Sequence, residues 1–352
     1  MLESFDIAAL AKYRRSFFVV RSDFADKPGG DVDLARQLSQ QAQQAGARAE
    51  LVPAAALPRD LGADDLLFLF NIDRPFDALL ALGQAPRETR ALLYTLHHPI
   101  EGVRRYLRHV GGAKRLFGTL AGNEPGRYEA LVDLAKGARG LDLRRIGAAL
   151  SRGRTIRRLL DRCELLVVAE AELAQIEQCF GTATRGAKLL PHPVATYAAP
   201  EAVASDYILV PGRIEPRKNQ LAALRALTGM GLRERGYEIV VIGGSGSDAA
   251  YFRQVADFAA ANGIVLLSHL PKAAFFPAVS AARLVINASF FEVTSLIDLY
   301  SIAYGIPLVT TRFAYYAQSS AVVQMDPEAW SSDQAAVSAA IEPMLARGLG
   351  AR

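Results

Sequence analysis

Apolar stretches too short to be helices alternate with helix-length stretches along most of this chain, and that alternation limits the fold more than any other feature. Phe17-Phe-Val-Val20 is a continuous apolar run, as expected of a strand buried on both faces. A polar turn with Gly29-Gly30 follows, then helical character over residues 31–45, closed by Gly46. Strand character resumes over 47–52 and again over 66–70, 91–96 and 164–168, while 100–162 reads as mostly helical and arginine-rich. A second series opens at 207–210. Its helices are expected at 220–228, 249–262 and 295–304, and its strands at 237–242, 264–267, 284–286 and 308–310. Such a pattern predicts an α/β chain with two doubly wound parallel sheets.

Between the two series, the Pro- and Ala-rich passage 186–206 predicts a connection, dividing the chain into domains 1–195 and 196–352, with a last helix able to pack back on the first. At 352 residues, 51% of them hydrophobic, there is enough chain for two cores. No apolar run reaches the ~18–20 residues of a membrane span. The start, MLESFDIAALAKYRR, has acids where an export signal has cations, so a cytoplasmic protein is expected. Cys163 and Cys179 have neither metal-ligand nor disulfide spacing.

The net charge of +4 is unevenly spread: between Arg139 and Arg162 stand eight arginines against two aspartates. A solvated helix face explains this as well as contact with an anionic membrane surface or a phosphate-bearing acceptor does. Nucleic acid is disfavoured, because no aromatic residues are interleaved as stacking platforms.

Chemistry is concentrated at the predicted carboxyl ends of strands. Glu292 follows the strand 284–286, and the turn Val293-Thr-Ser295 then opens an apolar helix. A carboxylate there lies beside the N–H groups of a helix N-terminus, which bind phosphate without any side chain. In Pro211-Gly-Arg-Ile-Glu-Pro-Arg-Lys-Asn219, Arg213 and Lys218 are cations suited to a diphosphate, or else a solvated pair. Gly29 and Gly30 lack the spacing of a dinucleotide site and either shape a tight turn or let backbone approach a phosphate or sugar, while Gly243 and Gly244 in the turn GGSGS either cradle a phosphate or sugar or simply connect strand to helix. His97, in His97-His98-Pro99, either caps its strand or meets a sugar hydroxyl.

These segments resemble the retaining glycosyltransferases of the GT-B fold, in the large family four of bacterial mannosyl- and glucosyltransferases. VPGRIEPRKNQ looks like that family's V-G-R-x-x-x-x-K, YEIVVIGGSGSD like its L-x-I-V-G-x-G, and FEVTSLIDLYSIAYGIPLVTT like its E-x-F-G-L-x-x-x-E-A-x-A-x-G-x-P-V-V. PGGDVDLARQL resembles the family's G-G-x-x-x-x-V-x-x-L opening. The likeness is strong over 207–312 and looser over 16–52, 91–99 and 164–194.

The resemblance implies two Rossmann-like domains facing across a cleft, and transfer of a hexose from a nucleotide diphosphate sugar to a saccharide or lipid-linked hydroxyl with retention, as in bacterial polysaccharide or glycolipid synthesis at the inner face of the membrane. It implies that Arg213, Lys218 and the amides of Thr294, Ser295 and Leu296 hold the diphosphate, with no cofactor and no metal required. Glu292 and His97 would meet the transferred sugar, Gly29 and Gly30 the phosphates, and Leu270 the base. Tyr300 stands where the family's second glutamate binds the ribose, a clear departure. The rival expectations are a nucleotide-sugar epimerase and a non-catalytic partner subunit.

Overall fold

The computed structural model describes residues 2–21, 24, 30–181, 184, 186–194, 205–246, 248–268, 270–315 and 320–347. Gly29 and the expected domain boundary at 195 and 196 lie outside the described residues. The chain divides into two compact units, one made of Met1–His98 and Ala113–Pro193, the other of Pro99–Gly112 and Val194–Arg352.

In the first unit, β1 (Arg15–Val20), β2 (Ala49–Pro53), β3 (Asp65–Phe70), β4 (Arg90–Tyr94), β5 (Glu164–Val167) and β6 (Lys188–Leu189) form one sheet in the order β2-β1-β3-β4-β5-β6. Every pairing is parallel, with Phe17 opposite both Glu50 and Leu67. Alternation sends Phe18 and Phe68 to one face, where their rings stack at 4.6 Å. Phe17, Val19, Leu67 and Leu93 go to the other, against Leu159 and Ile176. Apolar residues on both faces are what a doubly wound sheet demands, and they explain the unbroken hydrophobic runs. The chain runs outward from β1 to β2 and then returns to β3 on the other side, so the order reverses between β1 and β3. The arginine-rich stretch is helical as expected, with helices Gly112–Leu120, Pro125–Arg139, Leu143–Leu150 and Arg152–Arg162.

The second unit repeats the plan. Strands β7 (Tyr207–Pro211), β8 (Glu238–Ile242), β9 (Val265–Leu267), β10 (Leu284–Ile286), β11 (Leu308–Thr311) and β12 (Val322–Met325) pair in parallel in the order β12-β11-β10-β7-β8-β9. Here the reversal falls between β7 and β10. Ile208, Val210, Leu224 and Ile286 fill the core on one face, joined by Val337 and Ile341 of the last helix, Gln334–Ala346. Leu209, Val285, Phe276 and Tyr300 fill it on the other.

The helix Ile100–His109 also belongs to this unit. Arg105 bonds both oxygens of Asp326 at 2.7 and 2.8 Å and reaches Glu328 at 2.6 Å, and Tyr106 packs on Phe290. No helix among the described residues is long and apolar enough to cross a membrane.

Candidate functional site

The second unit's strand order reverses between β7 and β10, and the turns leaving those two strands meet on a charged cluster. After β7, Gly212 takes a left-handed φ of 114° and the chain makes a short 3-10 turn, Pro216–Lys218. Asn219, also left-handed, leads into the helix Gln220–Gly229. After β10, the chain runs through Phe290 and Phe291 to Glu292. The two turns are tied at the backbone, since Phe290 N–H donates to the Arg217 carbonyl at 2.9 Å.

Glu292 is 6% exposed, with one carboxylate oxygen 2.5 Å from the Lys218 ammonium and the other 3.4 Å from the Arg217 guanidinium. Burial pushes its carboxyl up, but Lys218 and Arg217 outweigh that and bring it down to about 2. Glu292 is therefore ionised at any physiological pH. Arg217, which sequence reasoning passed over, is the hub of the cluster. It bridges Glu292 and Glu215, donates to the Phe291 carbonyl at 3.1 Å and lies over the Phe291 ring. Its place two residues after Glu215 and beside Lys218 in EPRK was the signal in the sequence. Arg213 is placed differently: it is exposed and pairs with no carboxylate among the described residues.

Beyond Glu292, Ser295 caps the helix Leu296–Ala303 by accepting from the Asp298 N–H. Thr294 is half-buried just before the cap. Among the described residues, the first-turn N–H groups of Leu296 and Ile297 have no acceptor. The cluster thus combines a buried carboxylate, two cations bonded to it, one exposed cation and the N-terminus of a helix, the parts needed to hold an anionic ligand that also carries hydroxyls.

The far side of the same helix is structural. Asp298 is fully buried and accepts from both sides: Asn287 at 2.9 Å to each oxygen and Thr310 at 2.5 Å. Burial, with the nearby charge of Glu292 adding to it, pushes this carboxyl up to about 6 despite those donors. Tyr300 is 1% exposed, its hydroxyl 2.8 Å from Ser280 Oγ and its ring against Phe276 and Tyr304. Leu270, half-buried, packs on the same apolar cluster.

The glycines separate by cause. A Cβ on Gly243 would stand 2.0 Å from the Gly212 carbonyl oxygen, so its lack of a side chain is dictated by the approach of the turn after β7. Gly244 faces open space. Gly102, not singled out from the sequence, lets the helix Ile100–His109 press on the residues before Glu292; its Cβ would lie 2.6 Å from Phe291 Cβ and 2.7 Å from the Phe290 carbonyl oxygen.

In the first unit, Gly30 is the first residue of the helix Gly30–Gln44 and nothing lies within 4 Å of its Cβ position. His97 follows β4 and is 2% exposed; its Nδ1 is 2.9 Å from Asp73, whose other oxygen accepts the His98 N–H at 2.8 Å. Burial pushes His97 down, yet the facing Asp73 carboxylate, with Cys179 adding, raises it to about 10, so the ring is an imidazolium at neutral pH. Glu172 accepts the His97 N–H at 2.6 Å and holds the backbone of this turn.

Residues 205–346, which contain Arg213, Lys218, Glu292 and Ser295, match the family described as Glycosyl transferases group 1. A search of curated protein sequences finds no match. Among solved structures, a sucrose-phosphate synthase from Thermosynechococcus elongatus superposes with a TM-score of 0.63 at 13% identity, over 95% of this chain and 90% of its own. The Anabaena protein HepE, in complex with UDP, gives 0.58 at 12% identity, covering 93% and 90%. A UDP-forming trehalose-phosphate synthase from Burkholderia xenovorans gives 0.55 at 13%, covering 90% and 72%. At these identities the likeness shows the fold: the α/β GT-B architecture with two parallel six-stranded sheets.

Proposed function

We propose that this chain transfers a hexose from a nucleotide diphosphate sugar to a hydroxyl acceptor, with retention of anomeric configuration. The observation that carries the reading is the Glu292–Lys218–Arg217 cluster beside a helix N-terminus, at the reversal of the second sheet. The family match over these residues supports it. A UDP-linked donor is favoured by the Anabaena neighbour, whose structure holds UDP.

Arg213, exposed and with no carboxylate partner among the described residues, closes on the diphosphate together with the Lys218 ammonium, and the N–H groups of Thr294, Ser295 and Leu296 donate to its oxygens. Preorganised cations and dipoles at a leaving group supply the largest single contribution in such reactions. They neutralise the charge without a metal. Glu292, fixed as a carboxylate by its two cations, accepts from hydroxyls of the transferred sugar. The departing phosphate oxygen takes the acceptor's proton, so no protein nucleophile is needed. The imidazolium of His97 keeps Asp73 charged and the turn after β4 in shape.

The arginine-rich helices give the reading a location. From 112 to 162 the chain carries twelve cations and five acids, whereas its whole net charge is only +4. Five of the eight most exposed large hydrophobics among the described residues fall in the same stretch: Leu116, Leu120, Leu141, Leu143 and Leu150. Exposed leucines among arginines suit an anionic membrane face, and a lipid-linked or membrane-borne acceptor.

Incubation with UDP-, GDP- and ADP-hexoses and a panel of glycoside acceptors, read by NMR, tests the reading. It predicts one donor consumed with the product keeping the donor's anomeric configuration. An inverted product, epimerised donor without acceptor, or no turnover of any donor would contradict it.

A further inference from the structure

Two partners compete for Lys218. Its ammonium stands 2.5 Å from Glu292, and the diphosphate of the proposed donor needs the same charge. The cluster sets two acids, Glu215 and Glu292, against two bonded cations, Arg217 and Lys218, so it carries no surplus positive charge for a dianion. Lys218 can serve the diphosphate only by giving up part of its hold on Glu292.

Both cations are half-buried, and their tethers set them apart. Among the described residues, Lys218 Nζ has Glu292 as its one carboxylate partner, at the end of a flexible four-carbon stem. The Arg217 guanidinium is held by Glu215 at 3.2 Å, by Glu292 at 3.4 Å and by the Phe291 carbonyl at 3.1 Å, and it lies 5.3 Å from the centre of the Phe291 ring. Its own carbonyl accepts the Phe290 N–H at 2.9 Å, which ties its backbone to the loop that carries Glu292. Lys218 is thus free to swing and Arg217 is not. Glu292, 6% exposed, needs whichever cation stays, because a buried carboxyl without one keeps its proton at neutral pH. Once protonated, it accepts fewer hydrogen bonds from sugar hydroxyls.

We propose that Arg217 is a positioning residue of this site: when the sugar nucleotide binds, Lys218 turns to the diphosphate and Arg217 stays as the counter-charge that keeps Glu292 a carboxylate. The proposal rests on the transfer reading above. The other titratable groups nearby are Glu215 beside Arg217, Asp298 on the helix Leu296–Ala303, and His109, which stacks on Phe290 and bonds Glu328.

Titration calorimetry of the full chain with UDP-, GDP- and ADP-glucose, whose diphosphates do not titrate near neutrality, tests it. Repeating each titration in buffers of different ionisation enthalpy counts the protons taken up on binding. Between about pH 6 and 8 the wild type should take up none and keep a constant affinity. Arg217→Met should take up about one proton per sugar nucleotide, and its affinity should fall with rising pH, toward about tenfold per pH unit. Arg217→Lys, which keeps the charge, should return the uptake to none. Adding Glu292→Gln to Arg217→Met should abolish it, and adding Asp298→Asn should not. A second measurement needs neither ligand nor the Met variant: in Lys218→Met, Arg217 alone should keep Glu292 ionised, so stability should fall no more steeply with rising pH than in the wild type. Binding by Arg217→Met without proton uptake would show Lys218 serving both partners and overturn the proposal alone. Uptake that survives Glu292→Gln, or a new stability decline toward neutral pH in Lys218→Met, would also overturn it. No binding of any of the three sugar nucleotides by the wild type would contradict the donor reading and take this proposal with it.

Discussion

Burial acts on Glu292 and Asp298 in the same direction, yet they end on opposite sides of the ordinary carboxylate range because only Glu292 faces cations. Their contributions to stability therefore slope in opposite ways. Glu292, lowered from 4.5 to about 2, stabilises the fold above pH ~4.5 and loses that contribution as pH falls through about 2. Asp298, raised from 3.8 to about 6, contributes below pH ~3.8 and loses it as pH rises through about 6. Denaturant titrations across pH 2–7 should show Glu292→Gln flattening the acid limb and Asp298→Asn removing a decline between pH 4 and 6. A decline that persists in Asp298→Asn would mean another group titrates there. The cations separate by burial in the same manner. Arg217→Ala should cost about 3 kcal/mol of stability, because it strips a buried carboxylate of one partner while Lys218 remains. Arg213→Ala should leave stability within about 0.5 kcal/mol and lower turnover ~100-fold. Parallel stability and rate measurements decide between the two.

At the scale of elements, the loop carrying Glu292 is clamped from two sides, by the Arg217 turn and by the helix Ile100–His109. Gly102→Ala should drive that helix off Phe290 and Phe291, at about 1–3 kcal/mol, and weaken nucleotide binding although Gly102 touches no ligand. A variant with wild-type stability and affinity would show that the loop yields. This clamp was invisible in the sequence, since Gly102 and Phe291 are brought together only by the fold. Much else was legible: the runs at 17–20, 66–70, 207–210 and 308–310 are strands because both faces of each sheet are covered. The strand expected over 91–96 stops at Tyr94, beyond which the Glu172 carboxylate accepts hydrogen bonds from the Thr95 hydroxyl and the His97 N–H. β6 and β12 carried too little pattern, as β6 is two residues long and β12 holds a glutamine among its apolar residues. At the site, Glu292, Lys218 and Ser295 could be read from strand–turn–helix order. Arg217 and Asp298 could not, because their importance lies in which partners burial gives them.

The molecule as a whole comprises two similarly wound units, and the exposed leucines set among arginines, Leu116, Leu120, Leu141, Leu143 and Leu150, all belong to the first. Co-sedimentation should show binding to vesicles rich in anionic lipid that weakens as salt rises, with screening over ~10 Å at 0.1 M. Leu141→Ser with Leu143→Ser should reduce it further at high salt, where only the apolar part remains. Equal binding to neutral and anionic vesicles, or none, would make the stretch an ordinary solvated face. The central claim concerns the second unit: that the Glu292–Lys218–Arg217 cluster and the helix beginning at Leu296 form a nucleotide diphosphate site. Calorimetric titration of UDP and UDP-glucose into wild type, Arg213→Ala and Lys218→Ala tests it most directly. The account predicts one saturable site in the wild type and at least about tenfold weaker binding in each variant. Wild-type affinity in both variants, or no binding of UDP, GDP or ADP by the wild type, would contradict it.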